Sequence, residues 1–180
     1  MKTCLTYGIA LALVNFLFTL VLFIFGLHSD PAKLGLAQGL GTLGGLIIGV
    51  TITALGMKAA RAKSPPEAAF TYGNAFGVGT GIAAVASFLS IFTHTLYIRV
   101  INPQFTELIV QAKLAKLESS NLTSDQVDRA EKLIRTMTSP TWQAVSICIA
   151  SFILGLIIAL IVAAFLRRDA PPPTLENSPA

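Results

Sequence analysis

A chain of 180 residues that is 53% hydrophobic and 12% charged carries about half the charge of an ordinary soluble domain, which runs near 25%. Its net charge of +4 is spread along the flanks of apolar stretches. That pattern excludes a nucleic-acid partner and suits residues that fix orientation and meet anionic headgroups. The cysteines, Cys4 and Cys148, both fall in or beside apolar stretches, which excludes a disulfide framework and leaves no metal-ligand spacing.

Four stretches, about 5–27, 34–55, 72–97 and 142–166, contain no Asp, Glu, Lys or Arg. Each is long enough to cross a hydrocarbon layer ~30 Å thick at about 1.5 Å per residue. The first exceeds the roughly 7–15 residues of a signal-peptide core, and no small-residue cleavage site precedes His28-Ser29-Asp30, so it is read as a retained helix. Its one strongly polar residue is Asn15, near mid-span. An amide at that depth is expected to face another helix. Pro31 then sits where a helix begins, a position that suits its missing N–H.

The second stretch is dense in glycine: Gly35, Gly39, Gly41, Gly44, Gly45 and Gly49. Gly35/Gly39, Gly41/Gly45 and Gly45/Gly49 are four apart and share a helix face, where another backbone can approach closely. Gln38 and Thr42 lie among them, and Lys58, Arg61 and Lys63 close the span. The third stretch repeats the device with Gly73, Gly77 and Gly81, and with Gly79 between. The simplest packing sets the second and third helices glycine face to glycine face; self-association of one such face is the alternative. Asn74 opens the third helix, and Ser87, Ser90, Thr93, His94 and Thr95 crowd its far end. Tyr97 and Arg99 are expected to mark the membrane interface there, as Tyr72 and Trp142 do at other span ends.

Residues 103–138 are polar but patterned. Phe105, Leu108, Ile109, Ala112 and Leu117 recur at helical spacing, Ser119-Ser120-Asn121 interrupts, and Thr123-Ser124-Asp125-Gln126 fits a capping box. Val127, Ala130, Leu133, Ile134 and Met137 give the next helix an apolar stripe. Mixed charge on the outer faces favours a helical hairpin over a headgroup-bound helix. Pro140 starts the last span, Ser151 and Gly155 lie four apart on it, and Arg167-Arg168 closes it. The proline-rich segment 169–180 has nothing to bury and is read as a disordered tail.

The fold class is therefore all-α: a transmembrane four-helix bundle, one membrane domain over 1–168, with an extramembrane amphipathic hairpin between helices 3 and 4. Both termini lie on one side. Lys58, Arg61, Lys63, Arg167 and Arg168 sit tight against span ends on that side, which places it in the cytoplasm.

Four spans, Gly56-Met57-Lys58-Ala59-Ala60-Arg61, Phe70-Thr71-Tyr72-Gly73-Asn74-Ala75-Phe76-Gly77-Val78-Gly79, and Tyr97 followed by Asn102-Pro103-Gln104-Phe105 resemble the bacterial domain-of-unknown-function 4199 family. The resemblance covers nearly the whole chain except the tail. It implies a fold and a bacterial inner-membrane setting, and it brings no activity with it.

No catalytic constellation is present: no phosphate loop followed by Lys-Ser/Thr, and no His-Glu-x-x-His. His28 and His94 are the only histidines, and Asp30 alone could join them on a metal, so no metal, cofactor or enzymatic activity is expected. The expected partners are the lipid bilayer and another membrane protein or a second copy. The leading reading is a structural or partner-binding membrane component. The alternative is a small oligomeric transporter or channel with a path lined by Asn15, Gln38, Thr42, Asn74, Thr80 and Ser87. The two readings differ in whether those polar groups converge on a cavity or are consumed in bonds between helices.

Overall fold

The computed structural model describes residues 1–65, 68–118 and 123–168. Six helices run in the order α1 (Lys2–Ile24), α2 (Leu34–Ala62), α3 (Tyr72–Leu96), α4 (Phe105–Glu118), α5 (Ser124–Met137) and α6 (Pro140–Leu166). A 3-10 turn, Pro31–Lys33, leads into α2, and a π-turn, Tyr97–Ile101, ends α3. Four of these helices are long and apolar enough to cross a membrane. The interruption at 119–121 and the tail at 169–180 lie outside the described residues.

Local chemistry sets the helix ends. The chain leaves α1 through Gly26, whose φ of +71° lies in the left-handed region that only glycine enters without cost. Asp30 accepts the Ala32 N–H at 2.9 Å, and Thr71 accepts the Asn74 N–H at 3.2 Å; each carboxylate or hydroxyl satisfies a donor that the first turn leaves free. Thr123 and Gln126 form the expected capping box, with the Thr123 N–H donating to Gln126 Oε1 at 3.0 Å.

Helix α3 is the centre of the bundle. It packs mainly against α6 and α1, and α2 closes against all three. Small residues set the α3–α6 distance. A Cβ at Gly79 would stand 2.7 Å from Ala159 Cβ, and one at Gly155 would stand 2.6 Å from Ala83 Cβ, so the two backbones are closer than any larger residue permits. Met57, Phe70, Ala75, Ile158, Ala159, Val162 and Ala163 fill the half of the bundle nearer the termini. Beyond them the chain is tied by Phe70 and Arg168, which exchange backbone bonds at 2.9 and 2.8 Å. Arg168 Nη2 also donates to the carbonyls of Pro65 and Ala68, and Arg61 Nη1 donates to the Leu166 carbonyl.

The glycine faces of α2 and α3 do not meet as the spacing suggests. Side chains of α1 occupy much of both. Gly44 lies under Phe18, Gly45 faces Asn15 Oδ1 at 3.5 Å, Gly41 approaches Leu22, and Gly81 is covered by Cys4. Gly49 meets Ile158 of α6. Gly35, Gly39 and Gly77 have open space where a Cβ would stand, and Gly73 meets only its neighbour Thr71. The physical reason is rotation: glycines two or three apart on one helix look out at different neighbours.

At the other end, α4 and α5 fold on each other. Arg135 joins Glu107 of α4 at 3.3 Å and Glu131 of its own helix at 2.9 Å. Val110 of α4 is buried, and α4 rests on the 3-10 turn before α2.

Candidate functional site

Two cavities share the half of the bundle nearer the hairpin. The inner one, about 300 Å³, lies among α1, α2, α3 and α6. Its polar lining is Asn15 and Thr19 from α1, Thr42 and Thr53 from α2, Ser90, Thr93 and His94 from α3, and Ser151 from α6. Leu11, Leu154 and Ile158 supply apolar wall. A hydroxyl at such depth must bond somewhere, and here the donors turn back on their own helices. Thr19 donates to the Asn15 carbonyl at 3.0 Å, Thr42 to Gln38 at 2.8 Å, Ser90 to Ser87 at 2.6 Å and Ser151 to Ile147 at 2.6 Å. Asn15 Nδ2 does the same with the Leu11 carbonyl at 3.0 Å. With hydrogens used locally, each oxygen keeps lone pairs. The lining is thus rich in acceptors.

Toward the termini the inner cavity is bounded by the apolar layer of Met57, Gly79 and Ala159. Toward the hairpin it is bounded by two hydrogen-bonded pairs. In the first, Tyr97 Oη meets His28 Nδ1 at 2.6 Å. Asn102 Nδ2 donates to the same Tyr97 oxygen at 3.2 Å and to the His28 carbonyl at 3.0 Å. The tyrosine hydrogen then has one acceptor, so His28 accepts through a neutral ring. Burial pushes the His28 pKa below its ordinary value, in agreement with a neutral ring. Phe105 lies 4.9 Å from the His28 ring and 5.3 Å from that of Tyr97, and Phe23 adds an edge-on contact at 6.0 Å. In the second pair, His94 Nε2 meets Gln143 Oε1 at 3.3 Å, while Gln143 Nε2 donates to the Thr138 carbonyl at 2.6 Å and to Thr106 Oγ1 at 3.2 Å.

The outer cavity, about 870 Å³, lies on the far side of these pairs, under the hairpin. His28 and Gln143 line it, as do Gln38 and Gly35 at the start of α2, and Phe105, Ile109, Lys113 and Lys116 of α4. Tyr97 and His94 line the inner cavity, so each pair has one member on each side.

A family model described as a protein of unknown function, DUF4199, matches residues 6–168. The chain belongs to that family. No curated protein and no solved structure matches it. DUF4199 membership accordingly supplies a relationship and no activity, and the geometry carries the functional argument for this DUF4199 chain.

The structure divides the residues that the sequence singles out. Asn15, Thr42 and His94 do line one cavity. Gln38 opens on the other. Asn74 is exposed at the opposite end of α3 and lines neither cavity. Ser87 is buried and donates to the Ala84 carbonyl at 3.1 Å. Thr80 Oγ1 is buried with no hydrogen-bond partner among the described residues. Tyr97 is a correction. It does not stand in an interfacial aromatic belt; it is 2% exposed, because the π-turn carries it inward onto His28. His28 and His94 sit at the same end but take separate partners. Sequence reasoning missed Asn102, Thr138 and Gln143. Gln143, one turn into an otherwise apolar span, is the signal that could have found its pair.

Proposed function

We propose that this protein is a small solute transporter of the bacterial cell membrane, spanning it four times with both termini in the cytoplasm and performing no covalent chemistry. The observation that carries this reading is the inner cavity. Eight polar side chains from four helices converge on about 300 Å³ of space inside a bundle of membrane-length helices. Six of them, Asn15, Thr19, Thr42, Ser90, Thr93 and Ser151, donate within their own helices, and His94 bonds across to Gln143. A purely structural bundle gains nothing from polar groups that do not join its helices. Acceptor-lined walls favour a solute with several N–H or O–H donors.

The test is stopped-flow uptake of glycerol, urea and ammonium by vesicles containing the purified protein. At least one is expected to enter faster than into protein-free vesicles. Asn15→Leu and Ser151→Leu, each placing a branched apolar group on the cavity wall, are expected to abolish the difference without changing elution in detergent. Equal rates with and without protein for all three solutes overturn the proposal.

The open glycines favour a second reading, a partner-binding membrane component. Gly35, Gly39 and Gly77 meet nothing within 4 Å, and each weakens its helix by about 1 kcal/mol relative to alanine in water. A second copy or a partner helix packed against Gly39 of α2 or Gly77 of α3 offsets the cost there. Under this reading Gly39→Leu shifts the detergent-solubilised protein to a smaller assembly, or releases a co-purifying protein, with the fold intact.

A further inference from the structure

We infer that the pocket under the hairpin is a binding site for one anionic phospholipid, its phosphate on Lys113 and Lys116 and its acyl chain along the apolar wall. This goes beyond the solute reading and does not rest on it; it rests on the bundle spanning a bilayer.

The pocket has two chemistries. Its wall is apolar: Leu34, Ala37, Phe105, Ile109 and Ala112, with Gly35 leaving a flat, unfilled stretch beside them. Its charge is of one sign. Lys113 and Lys116 line it and, among the described residues, no Asp or Glu does. The Lys113 ammonium is drawn inward, donating to Thr138 Oγ1 at 3.4 Å, and Thr138 is itself buried. An ammonium carries three donors in all, and a phosphate offers oxygens to several at once.

Position decides the source of the anion. The pocket is framed by the first turns of α2, the start of α6 and the hairpin, so it lies where a membrane-length bundle meets headgroups. Its rim is greasy: Met137 lines it while remaining exposed, and Leu133 one turn back is exposed as well. Met137 and Leu133 thus extend the apolar wall of the pocket onto the exposed face of α5. About 870 Å³ is within the ~300–1,000 Å³ of pockets that enclose a ligand.

The experiment is native mass spectrometry of the full chain in detergent with phosphatidylglycerol, phosphatidylcholine of the same acyl chains, or oleate. One phosphatidylglycerol is expected to be retained in preference to phosphatidylcholine. Near an anionic headgroup each lysine is worth about fivefold, so K113Q/K116Q should lower phosphatidylglycerol affinity by roughly 25-fold. Lys58→Gln, at the other end, should leave it unchanged. Should the double variant fail to fold, Gly35→Trp serves: Gly35 lines the pocket, a Cβ there meets nothing within 4 Å, and the indole adds bulk to the acyl wall without altering charge. It should also displace the lipid. Ser151→Leu, which tests the solute reading, should not. Equal retention of the two phospholipids, affinity unmoved by K113Q/K116Q or by Gly35→Trp, or binding of oleate alone each overturn the inference.

Discussion

At the scale of residues, the chain Asn102–Tyr97–His28 is the most constrained feature of the molecule. Its members are all buried, and each hydrogen has one acceptor. Tyr97→Phe removes the hydroxyl that both neighbours use, leaving His28 Nδ1 without a donor. An unsatisfied buried group costs about 1–3 kcal/mol, so the variant should melt at a lower temperature in detergent than the parent protein. The same chain makes a pH prediction. Burial holds the His28 pKa below its ordinary value near 6.5. Below about pH 6.5 the unfolded chain therefore binds more protons than the folded one. The stabilisation is fully present above about 6.5 and is lost as pH falls toward the folded-state value. Melting temperature should decline between pH 7 and 5, and His28→Gln should flatten that decline. An unchanged slope in the variant would place the pH sensitivity elsewhere.

At the scale of elements, helix existence was legible and helix rotation was not. Length and hydropathy belong to each segment alone, so the four long helices and the capped start of α5 follow from composition and from Thr123 and Gln126. Which face of a helix meets which neighbour depends on every other helix. Gly77 and Gly79 make the point. They are two residues apart, yet Gly77 has open space while Gly79 lies against Ala159. Gly79→Ala should force α3 from α6 at a cost of about 1–3 kcal/mol, as overpacking does. Gly77→Ala should be neutral or slightly stabilising, because alanine is the better helix former. Thermal melts of the two variants side by side check this, and equal destabilisation would contradict the packing.

At the scale of the whole molecule, the two ends of the bundle are built differently. One is dry and close-packed around Met57, Ala159 and Ala163; the other is hollow, polar and capped by the hairpin. Basic residues tight against span ends are the ground for the proposal that the dry end faces the cytoplasm. A single cysteine at exposed Asp128 in α5, with Cys4 and Cys148 replaced by alanine, should react with a membrane-impermeant maleimide added outside right-side-out vesicles. Labelling only after the membrane is opened would invert the assignment.

The sequence by itself determined that the chain is an all-α membrane protein with four bilayer-length helices and a short helical pair between the last two, of which α5 is amphipathic and α4 is not. It could do so because partition into lipid and helix capping depend on residues close together in the chain. Only the tertiary structure decided that Tyr97 turns inward, that Asn15 and Ser151 face one cavity, and that Lys113 lines another with His28. Those facts depend on how four helices are rotated against one another. The rotation is set by contacts between residues far apart in sequence, Gly79 with Ala159 and His28 with Tyr97 among them.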